Sequence, residues 1–236
     1  MTDALPEGAR PGDALPDDAL PDDALPDDAT LTEAGKPPEG VGRVLVVACG
    51  ALAREIVALR DLNGWHHMDL ACLPAILHNH PERIAPAVAE AVTAHRGDYA
   101  RIFVAYADCG TGGALAETCA RLGVEMIAGP HCYAFFEGLG AFAAHDDEIA
   151  AFYLTDFLAR QFDAFVWRPL GLDRHPELLP MYFGHYEWLV YLAQTDDPAL
   201  DAAARDAAAR LGLTYERRPT GYGDLAPALA RAAREG

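Results

Sequence analysis

Apolar and polar positions divide the chain into short apolar runs that alternate with amphipathic stretches. The first run, Val44-Leu45-Val46-Val47-Ala48-Cys49, has no polar alternation and so predicts a strand buried on both faces. Gly50 and Ala51 lead from it into a helix with Leu52, Ile56 and Leu59 on one stripe. A second strand is expected near Met68–Leu73. It delivers a loop through His78 to a helix that begins at Pro81, capped by Asn79 or His80, and runs to about His95. A third strand runs over residues 102–109 and is followed by a helix through Leu115, Cys119 and Leu122. A fourth runs over 124–132 and ends in a short aromatic turn. Residues 153–165 read as an amphipathic helix starting near Thr155 or Asp156. It belongs to an aromatic-rich, mostly helical insertion over 135–185 that would cover the strand ends. A fifth strand is expected at Trp188–Ala193, an alanine-rich helix over 199–211, a sixth strand over 214–217, and a terminal helix.

Strands that alternate with helices pair in parallel. The expected fold class is therefore α/β, a single domain with one mostly parallel, doubly wound sheet. In such a sheet the strand ends of one sense share an edge, and ligands bind there. Cys49, His78, Cys109, Cys132 and Gln194 all fall at such ends and are expected to face one cleft. Cys72, inside an apolar run, and Cys119, inside a helix, read as core.

The N-terminal stretch breaks this pattern. Asp13-Ala14-Leu15-Pro16-Asp17 recurs at Asp18 and Asp23, and a proline in every unit forbids continuous helix. Residues 1–40 are expected to be a disordered, dispensable acidic tail, leaving 41–236 as the folded domain. The net charge of −18 divides evenly, since eleven acids against Arg10 and Lys36 give the tail −9 and the body carries the rest. An acidic body speaks against nucleic acid as a partner. No apolar stretch is long enough to span a bilayer, and the start has no secretory pattern, so a cytoplasmic location with reduced cysteines is expected.

Several positions carry candidate chemistry. In Asp108-Cys109-Gly110-Thr111-Gly112-Gly113, glycines bring backbone N–H groups close to a ligand at a helix N-terminus, which makes Thr111, Gly112 and Gly113 a candidate substrate cradle. The turn at Arg218–Asp224 is a weaker cradle of the same kind. Arg174 and His175 are candidate carboxylate or phosphate ligands, with a solvated helix cap as the bland alternative, and Gln194 points polar groups at the same edge. Tyr106, His78 and His131 are candidate proton donors or acceptors, and Asp108 either orients a histidine or caps the helix. Gly50-Ala51-Leu52-Ala53-Arg54-Glu55 is not a dinucleotide fingerprint, so no NAD or nucleotide is expected.

The stretches Tyr106–Gly113 and Gly129–Tyr133 together resemble the DUF1638 family of bacteria and methanogens. So do Leu73–Asn79, Tyr153–Leu158, Gly171–Leu178 and Tyr191–Thr195, a resemblance that reaches over about residues 43–225 and includes Cys49, Cys109 and Cys132. Ala134 departs from it, where an acidic residue is usual. The resemblance implies an association with corrinoid-dependent methyl transfer for methylamines and betaines, with a corrinoid protein or methyltransferase as possible partner.

Three cysteines without a fourth hold metal in two ways. One is an iron–sulfur cluster with an open iron for substrate, the first choice; the other is zinc completed by His131 or His78. Spacings of 60 and 23 residues match no zinc ribbon or ferredoxin run. The expected function is thus a metal-dependent enzyme or accessory factor in corrinoid-linked one-carbon metabolism, acting on a small molecule. Two alternatives stand beside it: a cofactor-independent racemase using Cys49 and Cys109 as its acid–base pair, and a metal or cofactor chaperone.

Overall fold

The computed structural model describes residues 25–145 and 150–234; the acidic repeat over 1–24 lies outside the described residues. The fold is α/β with parallel strands, as expected, but the strands form two sheets. The first has the order β2-β1-β3-β4, from β1 (Val44–Cys49), β2 (Met68–Leu73), β3 (Arg101–Ala105) and β4 (Glu125–Met126). The second has the order β5-β6-β7, from β5 (Ala151–Leu154), β6 (Trp188–Ala193) and β7 (Thr214–Pro219). Every ladder in both is parallel.

β1 is central and buried up to its last residue, as its unbroken apolar run requires. Right-handed crossovers leave β1 through α2 (Ala53–Leu62) for β2 and return through α3 (Ile84–His95) for β3, which places those helices on opposite faces. α4 (Ala114–Leu122) packs with α3, and the C-terminal α10 (Leu225–Arg234) packs with α2. α10 thus belongs to the core of the first sheet although it follows the last strand of the second, and it interlocks the halves.

Residues 153–165 are not one helix. Ala151–Leu154 is a strand, α7 begins at Asp156 with Thr155 as its N-cap, and a π-turn follows at Asp163–Trp167. The four apolar residues of β5 are too few to show a period, and pairing with β6, far along the chain, decides their conformation. Asp156 fixes the junction. Its buried carboxylate accepts from Tyr191 Oη (2.7 Å), Gln194 N (3.0 Å), Thr195 N (3.0 Å) and Thr195 Oγ1 (2.6 Å), so the end of β6 is tied to the start of α7.

The folded body also starts earlier than residue 41. α1 (Asp28–Glu33) is capped by Asp27, and Leu31 is wholly buried in the core of the first sheet. Lys36 bridges antiparallel to Cys72. The backbone N–H groups of Glu39, Gly40 and Val41 donate to Asp69, with Tyr99 Oη (2.6 Å) on the same carboxylate. The tail boundary expected at residue 40 therefore moves to before Asp27. The acidic composition hid this segment, because one well-placed leucine is invisible in an average.

Truncation tests the boundary. Removal of residues 1–40 should lower the melting temperature by roughly 5 °C or more relative to removal of 1–24, because burying Leu31 alone is worth about 2 kcal/mol. Equal melting temperatures for the two truncations would show that α1 does not contribute to the fold.

Candidate functional site

Three chain segments bring the cysteines together. Cys49 ends β1, and the next residue, Gly50, lies so close to α1 that an added Cβ would sit 2.4 Å from the Leu31 carbonyl oxygen. Cys109 lies four residues beyond β3, in an irregular continuation of the ladder where Asp108 N donates to Gly129 O (2.9 Å) and Cys109 N to Pro130 O (2.8 Å). Its φ of +49° makes it the one non-glycine in the left-handed region among the described residues. A side chain held there costs about 1–2 kcal/mol, so the neighbouring contacts impose the conformation. Cys132 opens α5 (Cys132–Glu137) instead of closing a strand.

α5 is buttressed from the far end of the chain. Asp224 N donates to Phe135 O (2.7 Å), Leu139 N donates to Asp224 Oδ2 (2.8 Å), and Gly223 sits so close that a Cβ would fall 2.2 Å from the carbonyl oxygens of Phe135 and Phe136. The glycine turn read as a second cradle is thus a brace for the Cys132 helix.

The three cysteines line one cavity with His78, Tyr106 and Phe136 from the first half and Thr155, Phe157, Leu158 and Phe165 from the second. Its free volume is about 30 Å³, room for one or two waters. Cys72 and Cys119 are not in its wall and pack in the core, as expected. Among the described residues, no lysine or arginine lines it. His78, on the 3-10 turn Ala75–Asn79, is an exposed residue whose ring reaches the cavity mouth. Loss of hydration where the ring meets the cavity wall, and the neighbouring His131, lower its pKa.

Burial pushes the Cys49 thiol up, and likewise the Cys132 thiol, which Cys109 and Cys49 raise further by their charge. Cys109 is pushed up to about 12 by burial and by Cys49. A backbone N–H opposes each shift: Ala51 at Cys49, Cys132 at Cys109, and Tyr133 at Cys132. The two core cysteines lack such a donor. Cys119 is raised by burial alone, and Cys72 by burial and the charge of Cys49, with no amide in opposition. Burial outweighs these amides at all three sulfurs, so the thiols are held protonated as the fold stands. Tyr106 is buried, and its hydroxyl has no hydrogen-bond partner among the described residues; the Cys49 thiol lies beside it, outside good hydrogen-bond geometry.

Other expected site residues lie elsewhere. Asp108 accepts from Thr111 Oγ1 (2.7 Å), Gly112 N (3.1 Å) and Gly113 N (2.8 Å), and the Thr111 hydroxyl and these amides hold its pKa down. It caps the turn, and the amides read as a substrate cradle are engaged by it. His131 stacks on Tyr133 at 4.7 Å and is outside the cavity wall. Gln194 is wholly buried, with its side chain accepting from Asp156 N (2.7 Å) and donating to Leu192 O. Arg174 and His175 are exposed and pair locally with Asp173 and Glu177. Composition and spacing missed Glu55, which sits on the buried stripe of α2 with Leu52, Ile56 and Leu59. An acid at i+3 from one apolar stripe residue and i−4 from another was the available signal. Glu55 is 4% exposed, and its Oε2 lacks a partner.

Residues 72–229 match the model of a family described as a protein of unknown function, DUF1638. The chain belongs to this family. The match takes in His78, Cys109 and Cys132 and begins within β2, so β1 with Cys49 precedes it. Comparison with curated proteins and with solved structures gives no match. Among the described residues, no group of three or more His, Cys, Asp or Glu surrounds a single ion position as the side chains stand. No helix among them is long and apolar enough to cross a membrane.

Glu55 gives this DUF1638 member a pH signature. Burial raises its pKa from 4.5 to about 7, against the pull of Arg160. A carboxyl whose folded pKa is raised stabilises the fold below its unfolded pKa and loses that contribution as pH rises to the folded one. Stability should fall by roughly 3 kcal/mol between about pH 4.5 and pH 7 from this group. Glu55→Gln should flatten that slope and raise the melting temperature at pH 8; an unchanged slope would show that Glu55 is ionised in the fold throughout.

Proposed function

We infer that Cys49, Cys109 and Cys132 hold a metal centre, an iron–sulfur cluster in first place and zinc in second. One observation carries this reading: three cysteines from three separate segments line one cavity, while Cys72 and Cys119 pack in the core away from it. Amides directed at sulfur stabilise thiolate and tune metal–thiolate centres. Three thiolates in an apolar cavity repel one another, and a bound cation removes that cost. The donor set suits a thiophilic metal: three sulfurs, the His78 imidazole and, among the described residues, no lysine or arginine in the wall.

Bound there, the metal would supply Lewis-acid or one-electron chemistry at its open position. The chain's own part is to exclude water and anchor the sulfurs. Phe136, Phe157 and Phe165 close the cavity, and burial holds the Tyr106 hydroxyl protonated beside Cys49, where it can donate to a negative oxygen. His78, at the mouth, is placed to accept a proton from an entering molecule. Such a site suits an enzyme or accessory factor in corrinoid-linked one-carbon chemistry, the setting that the family resemblance implies.

The racemase alternative needs two thiols on opposed walls of a cavity that admits an amino acid. That reading uses Cys49 and Cys109 alone and leaves Cys132, in the same wall, without a role. A chaperone would release its metal readily, which the closed cavity speaks against.

The test is metal analysis of anaerobically purified protein. Cys49→Ser, Cys109→Ser and Cys132→Ser should each lose most of the iron or zinc, whereas Cys72→Ser and Cys119→Ser should keep it through gel filtration with a chelator. Loss of metal only in the Cys72 or Cys119 variants would overturn the assignment, and loss from the unaltered protein in chelator would favour the chaperone.

A further inference from the structure

A second cavity adjoins the cysteines. It has a free volume of about 320 Å³, and its wall shares His78, Cys132, Leu158 and Phe165 with the inner one. That volume lies in the range of small-molecule sites. Six of the side chains around it are aromatic: Tyr133, Phe152, Tyr153, Phe165, Phe183 and Tyr186. Their arrangement is ordered. His131, Tyr133 and Tyr153 form a continuous stack, with ring centroids 4.7 and 5.1 Å apart and interplanar angles of 18° and 6°. Phe152 meets Phe183 and Tyr186 edge-on, at 5.3 and 5.7 Å. The wall therefore combines a stacked aromatic cluster with an edge-on one.

Among the described residues, the lining contains no Lys, Arg, Asp or Glu. An anion entering this space would lose its hydration and meet no opposite charge, a cost of several kcal/mol. A compact cation would likewise find no carboxylate among the described residues of the wall. A flat neutral ring loses little hydration and gains stacking and edge contacts.

Resting on the reading of the inner cavity as the reactive centre, we propose that this vestibule binds a neutral, flat, ring-bearing small molecule and presents its substituent to the cysteines past Cys132 and His78. The same site rejects carboxylates and phosphates. Arg174 and His175, the expected anion ligands, are outside its wall.

Calorimetric titration of the full chain with benzamide, benzoate and tetramethylammonium tests this. Benzamide should bind with a Kd on the order of 1 mM, the level a ligand of this size reaches. Benzoate should bind at least tenfold more weakly, and tetramethylammonium more weakly than benzamide. Tyr153→Leu keeps apolar bulk but removes the ring face and should weaken benzamide binding roughly three- to tenfold, while Tyr153→Phe should leave it unchanged. Melting curves check that the variants fold, and Tyr186→Leu, with the same expected weakening, serves if Tyr153→Leu does not. No benzamide binding, benzoate binding as tight, tetramethylammonium binding tighter, or unchanged affinity in the folded leucine variant would each overturn the proposal. Metal content is measured on the same samples. Metal without ring binding refutes the vestibule alone, and ring binding without metal refutes the metal centre alone.

Discussion

The left-handed backbone at Cys109 is the constraint on which the site depends. A cysteine at φ +49° is held there by two ladder bonds, from Asp108 and Cys109 to the carbonyls of Gly129 and Pro130, and by the Asp108 cap on the glycine turn that follows. This turns the Cys109 thiol toward the Cys132 amide. The same bonds fix the segment that starts α5, so one strained residue sets two of the three sulfurs. Glycine would satisfy the backbone with less strain. The presence of a side chain there points to the sulfur itself as what the position provides.

The brace behind α5 extends this logic across the fold. Gly223 and Asp224 belong to the last turn of the chain, yet they hold the helix that begins at Cys132. α10 then returns to the first core. On the other side, Asp28 of α1 accepts from Arg54 of α2 (3.1 Å) and Arg160 of α7 (2.8 Å), linking the two halves near the buried Glu55. The cavity therefore sits between the two cores, with residues of both in its wall.

Much of this was legible in the residues. The unbroken run ending in Cys49 gave β1, and Asp108 with three glycines marked a strand-to-helix turn, although the carboxylate fills the cradle that the glycines suggested. Three cysteines spaced far apart were expected to meet, and they line one cavity because parallel strands share an edge. What stayed hidden depends on long-range pairing. Ala151–Leu154 became a strand only beside β6, the split into two sheets has no local signature, and Leu31 was masked by an acidic, proline-rich average. The expected single cleft was also too inclusive: Gln194 turned inward to hold the Asp156 junction, for which its amide is as well suited as for a ligand.

X-ray absorption at the metal edge of anaerobically purified protein tests the central claim most directly. The account predicts about three sulfur ligands per metal atom for zinc, or the sulfur shell of a cluster for iron, at about 2.3 Å in either case, with the signal lost when Cys109 is replaced. A metal bound mainly through nitrogen and oxygen, or protein free of metal after anaerobic purification, would contradict it.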